Sequence, residues 1–325
     1  MKNFLKISLL VTIFWSCNEM KEKYLPQSNG QINSLAIVID NQLWNGAIGD
    51  SLRYYFAQPL EGIPGSYEPI FSLHQIPPSI FKGNTRNSRN ILIVDTESQN
   101  RVDIRDTLYA KPQKVAFIIG QTTDDIVEQI RVYSSKIIKA FKENEVRESQ
   151  LRFKNSLNKT DEIVNKLGIK LMIPSVYSVV KQENNFFWIE RRIKGGTSNI
   201  IIYEMPLGSI PSEYIARSES IVRMRDSIGQ KYIPGREEGM YMITGKAFAP
   251  STYELKIKNR FAIESRGLWE MKDFLLGGPF VNYIIEDTKN QRYIVAEGFV
   301  SAPGFAKRDY LFELESIIKS IEFVK

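Results

Sequence analysis

The chain has 325 residues, 43% of them hydrophobic and 25% charged, with one Cys, one His and a formal net charge of +6. This composition excludes a disordered or collagen-like chain and leaves room for two domains of about 150 residues. The lone Cys17 and lone His74 exclude an intrachain disulfide and the multiple Cys or His ligands of zinc and iron–sulfur sites, so no cofactor is expected.

Lys2 and Lys6 precede an apolar run, 7–15, that stops at Ser16-Cys17 and gives way to Asn-Glu-Met-Lys-Glu-Lys. The run falls short of the ~20 residues that span a bilayer, and its basic start marks residues 1–16 as a secretory signal peptide. Ser16-Cys17 resembles a bacterial lipobox, with Phe14 and Trp15 replacing the usual Leu and small residue, a looseness similar to that of Bacteroidota lipoboxes. The resemblance implies lipidation of Cys17 through a diacylglyceryl thioether, and at ~0.8 kcal/mol per buried methylene two or three acyl chains hold a protein on a membrane. It also implies a cell-envelope location. Asn18, where enterobacterial inner-membrane retention uses Asp, leans to the outer membrane, and Lys21 and Lys23 interrupt Glu19 and Glu22, which favours a periplasm-facing over a surface-exposed side. Loss of Lys2 and Lys6 takes the basic count from 43 to 41 against 37 acids, a net +4, so nucleic acid is not expected as a partner.

Residues 17–33 carry Pro26, Ser28 and Gly30 without periodicity and are read as a flexible tether. An N-terminal α+β domain is expected over 34–158. It has strands at 35–40, 67–73, 90–95 and 114–119 and a helix at 46–57. It closes on a long helix after Thr122, with Ile126, Ile130, Tyr133, Ile137 and Phe141 on its buried face. Ten of the twenty-one residues 142–162 are charged, which suggests either a solvated continuation of that helix or a break near 155–158. A C-terminal α+β domain follows over 159–325. Strand-like runs lie at 169–174, 186–190, 199–204, 239–243, 253–257, 261–265, 281–286 and 293–299, with helices from Pro211 and from about Lys307. The predicted class is α+β, two mixed α/β domains with largely antiparallel sheets.

Motifs for chemistry are sparse. No G-x-S-x-G elbow occurs, and 239–246 has five residues between its glycines where a phosphate loop needs four. The acids Glu237, Glu238 and Glu264 leave open an envelope hydrolase acting on a glycan or peptide. The aromatic residues Phe186, Phe187 and Trp188, with Trp269 and Phe274, and with Arg191 and Arg192 nearby, offer a ligand surface for an envelope protein, glycan or lipid. A non-catalytic binding or scaffolding module is the favoured reading.

From the strand at Leu35 to Ile318-Lys-Ser-Ile-Glu322 the layout resembles an uncharacterised family of Bacteroidota lipoproteins, domain of unknown function 4837. That resemblance implies an envelope location and no assigned activity. The C-terminal half, ending on Leu-Glu-Ser-Ile-Ile-Lys-Ser-Ile-Glu-Phe, is also similar to the PsbP and Mog1 type of α/β/α sandwich.

Overall fold

Runs of Leu, Ile and Val form strands buried on both faces, which is the pattern of a parallel sheet. A computed structural model describes residues 24–63 and 68–324; the signal peptide, Cys17 and the first tether residues lie outside the described residues. The first sheet comprises β1 (Ser34–Val38), β2 (Ser72–Ile76), β3 (Asn90–Thr96), β4 (Arg101–Asp106) and β5 (Lys114–Gly120), ordered β2-β1-β3-β5-β4. Its first three pairings are parallel and only β4 runs antiparallel, so the antiparallel expectation does not extend to this sheet. The strand expected at 67–73 begins instead at Ser72, and β4, where Val102 and Ile104 alternate with charged residues, was not expected.

Parallel strands require a crossover, and α1 (Asn41–Trp44) and α2 (Ala47–Phe56) provide the one from β1 to β2. One face of the sheet packs its Leu35, Ile37, Leu92 and Ile118 against α2 and the 31-residue α3 (Thr123–Phe153). Thr122 starts α3 by a reciprocal capping box with Asp125. Ile126, Ile130, Ile137 and Phe141 are buried as predicted, whereas Tyr133 points outward and Ser134 occupies the buried position between them. A period of 3.6 residues puts 133 and 134 at equal angles on either side of the line through 130 and 137, so the spacing does not choose between them and tertiary packing does.

The second half begins with α4 (Asp161–Leu167) and β6 (Ile169–Lys170). It continues with β7 (Ser178–Glu183), β8 (Phe186–Ile193), β9 (Gly196–Pro206) and α5 (Tyr214–Tyr232). Then come β10 (Met242–Thr244), β11 (Ser251–Ile257), β12 (Arg260–Met271), β13 (Phe274–Asp287) and β14 (Arg292–Ser301). The chain closes with α6 (Arg308–Ile318) and β15 (Glu322–Phe323). Eight strands make an antiparallel sheet ordered β10-β12-β13-β14-β9-β8-β7, with β11 also paired to β12. Alternation sends Val281, Tyr283 and Ile285 toward α4 and α6, and Phe280 and Ile284 toward α5. The result is helix on sheet on helix, an α+β chain of mixed α/β halves.

Charge-rich residues beyond Lys142 continue α3 to Phe153, and the helix stops just before the break expected near 155–158; Glu143, Arg147 and Arg152 face solvent, whereas Asn144, Glu145 and Glu148 are buried against Arg89 and Asn90. Arg89 Nε donates to Glu145 Oε1 at 2.9 Å, and Arg89 Nη2 donates to the carbonyls of Gly30 and Gln31. Those bonds correct the tether expectation: Ser28 and Asn33 are buried, and the stretch from Pro26 lies along the fold because its backbone pairs with Asn87 and Lys111. Across the seam, Glu68 Oε2 accepts from the backbone N–H groups of Lys307 and Arg308 at 2.8 and 2.6 Å, capping α6 from the other half.

Candidate functional site

β12 and β13 form the longest hairpin, reversing at Lys272-Asp273, where Asp273 adopts φ 59°. β14 pairs with β13 only as far as Phe280, so the beginning of β13 projects beyond the sheet paired with β12 alone. That projecting arm carries Phe274, 48% exposed, and Leu275, fully exposed at 102%. Gly278 fixes how the arm joins the sheet. A Cβ there would lie 2.0 Å from the Val300 carbonyl oxygen, and the same oxygen accepts the Trp269 indole N–H at 3.1 Å.

Between this arm and the Leu60–Ile63 loop of the first half lies a cleft of about 700 Å³. Ile63, Leu268, Trp269, Phe274, Leu276 and Pro279 make its apolar walls, and Glu270, Asp273 and Lys307 add charge. A second hollow of about 500 Å³ shares Ile63 and Leu268 with it and continues past Phe248, which is 61% exposed, and Arg266. At its rim, Tyr253 Oη donates to the Glu61 carboxylate at 2.8 Å, and burial together with that carboxylate raises the phenol above its ordinary value. The open apolar concavity suits contact with apolar groups, and the charged groups at the rim can orient them.

The residues singled out in the sequence do not form one surface. Phe186 is buried and stacked on Tyr232 with ring centroids 4.0 Å apart. Trp188 is half-buried, donates to Asn199 Oδ1 at 3.0 Å and leans on Phe299. Trp269 is buried too, but it lines the cleft wall. Arg191 and Arg192 are neighbours on a strand and therefore face opposite sides; Arg191 pairs with Glu313 of α6 at 2.5 Å, and Arg192 is exposed. Alternation along β8 thus splits the expected patch, and of the residues expected there Trp269 and Phe274 line the cleft. The acids are also apart. Glu264 is tied to Arg266 at 2.5 Å, while Glu237 and Glu238 occupy an exposed turn beside the Met271 end of β12. Seven residues of strand, roughly 23 Å, separate that end from Glu264. Sequence reasoning named Phe274 but placed no strand in the arm, since Phe-Leu-Leu followed by Gly-Gly-Pro reads as a loop. Its one signal was an apolar triplet with no polar alternation.

Described among protein families as Domain of unknown function (DUF4837), one family model matches residues 156–320. Another, Domain of unknown function (DUF8532), matches residues 28–154. No curated protein matches the chain. Among solved structures it is similar to a Mog1 mutant protein, at 9% identity and TM-score 0.34, over 49% of this chain and 92% of that chain. The Saccharomyces cerevisiae Ran-binding protein Mog1p is similar at 10% identity and TM-score 0.34, over 49% of this chain and 91% of that one. A Bacteroides thetaiotaomicron VPI-5482 structure is similar at 12% identity and TM-score 0.27, over 49% and 46%.

Proposed function

We propose a binding function for this chain, which belongs to the family described as Domain of unknown function (DUF4837). It is a lipid-anchored envelope protein, attached through Cys17 to the periplasmic side of the outer membrane, that holds an apolar segment of a partner protein in the cleft beside β12 and β13. The observation that carries this reading is Leu275. A fully exposed leucine beside a half-exposed phenylalanine, on the lip of a wide apolar cleft, is the arrangement of an interaction site more than of a monomer's ordinary surface. The same openness, and the separation of Glu264 from Glu237 and Glu238, support binding over hydrolysis.

A photo-crosslinking residue at Leu275, compared with one at the exposed Val132 on α3, tests the site in intact cells. An adduct specific to position 275, lost on Trp269→Ala, is the expected outcome; equal labelling at both positions rejects the cleft. In the same cells Cys17→Ala is expected to abolish palmitate incorporation, and retained label rejects the anchor.

A further inference from the structure

The β12–β13 arm is at once a wall of the cleft and a projection beyond it. Before Phe280 the arm has no paired strand on its β14 side, because Pro279 has no N–H to donate and β14 continues along β9 to Ser301 instead. Its neck, Gly277-Gly278, carries no side chains. The register shift beside Met271 leaves Leu275 and Leu276 without opposite residues on β12, so the tip bulges outward. Leu276 is half-buried in the cleft wall, and Leu275 stands fully exposed at the lip with Phe274 next to it.

Charges around this lip are of both signs and unpaired. Glu270 lies on β12, Lys272 and Asp273 form the turn at the tip, and Lys307 stands in the opposite wall of the cleft. Among the described residues no ion pair reaches Glu270 or Asp273, and neither lysine has a carboxylate: Lys272 Nζ lies 5.0 Å from the Tyr241 ring, and Lys307 Nζ donates to the Phe305 carbonyl at 2.8 Å. The neighbouring exposed turn, Arg236-Glu237-Glu238, adds both signs again. A partner surface of one sign would set part of this rim against its like. A second copy of the same rim does not, since a two-fold axis that brings Asp273 of one chain to Lys307 of the other makes the converse contact at the same time. The apolar groups follow the same rule. Leu275 and Phe274 need a concave apolar surface to cover them, and the identical chain offers one walled by Ile63, Leu268, Trp269 and Pro279.

We propose, resting on the binding role of the cleft, that its occupant is the β12–β13 arm of a second copy of this chain, exchanged reciprocally about a two-fold axis. Leu275 and Phe274 of each chain sit in the cleft of the other, and Asp273 of each pairs with the partner's Lys307.

The test uses two forms of the full chain with different epitope tags, expressed together in intact cells and each carrying the photo-crosslinking residue at Leu275. The expected adduct has the mass of two chains and carries both tags. An adduct of position 275 with a different protein overturns the self-association and leaves the cleft's binding role standing, whereas the absence of any adduct specific to 275 rejects both. Asp273→Lys is expected to lower the yield of the two-tag adduct about tenfold, as is Lys307→Glu, each by setting like charges together at both symmetry-related contacts. Lysine suits the left-handed backbone of the tip, a conformation that Lys258 already adopts at φ 49°. Asp273→Lys and Lys307→Glu in one chain restore opposite charges, so the combined variant is expected to return to within about twofold of the parent yield. A combined variant as weak as either single one overturns the proposal, because damage to the fold or to the arm would not be repaired by the second change.

Discussion

Arg225 shows how strongly a single residue can be constrained in this protein. Its Nε and Nη2 both donate to Glu297, each at 2.7 Å, its guanidinium lies 3.4 Å from the Phe280 ring centroid, and both side chains are about 1% exposed. Asn282 Nδ2 adds a third bond to the same carboxylate at 2.8 Å. A bidentate pair in this setting holds α5 in one register on the sheet, but its desolvation offsets much of its attraction. Arg225→Met should therefore cost about 3–5 kcal/mol by leaving Glu297 charged without its cation, and Arg225→Met with Glu297→Met should recover most of that loss in urea unfolding. A single variant within about 1 kcal/mol of the parent would show that the pair is solvated.

Among the elements, the arm of β12 and β13 depends on two strands meeting β14 at Gly278. The would-be Cβ position there is occupied at 2.0 Å by Val300 O and approached at 3.2 Å by Trp269 Nε1, so a methyl group must push apart the strand and the cleft wall together. Gly278→Ala should destabilise the chain by about 1–3 kcal/mol and weaken crosslinking from position 275, whereas Gly46→Ala, whose Cβ meets nothing nearer than 3.4 Å, should leave the crosslink intact. If Gly278→Ala left both stability and labelling unchanged, the close approach would be absent in solution. Elements whose faces are dictated by their own composition were legible: α6 buries Leu311, Leu314 and Ile318, with Ile321 just beyond it, as their spacing predicts. β7 was not, since an edge strand of Ser, Val, Lys and Glu has no burial pattern to display.

For the whole molecule, the two halves exchange functional groups rather than merely touch. Ile63 of the first half is buried in the core under α6, Gln150 Nε2 donates to Ser316 O at 3.0 Å, and Glu68 caps α6. Unfolding is therefore expected as one transition, with α3 and α6 losing amide protection together. Glu68→Ala should cost about 1 kcal/mol, the usual loss for a cap, and raise exchange rates in both halves equally. Two resolved calorimetric transitions would show instead that the halves unfold independently.

What the sequence determined by itself was local: the signal-like start, the α+β content, the apolar strands of both sheets and the capping of α3 by Thr122. Each of these depends on residues within a few positions of one another, where periodicity, turn chemistry and capping operate. Tertiary structure decided the rest. Parallel order in the first sheet, the burial of Glu145, the division of Arg191 from Arg192 and the meeting of Ile63 with Trp269 at the cleft all depend on which distant segments become neighbours. The aromatic residues could be read as a ligand surface because composition does not say which face of a strand is covered. Packing of α5 removed Phe186 from solvent, while Leu275 stands fully exposed on the arm.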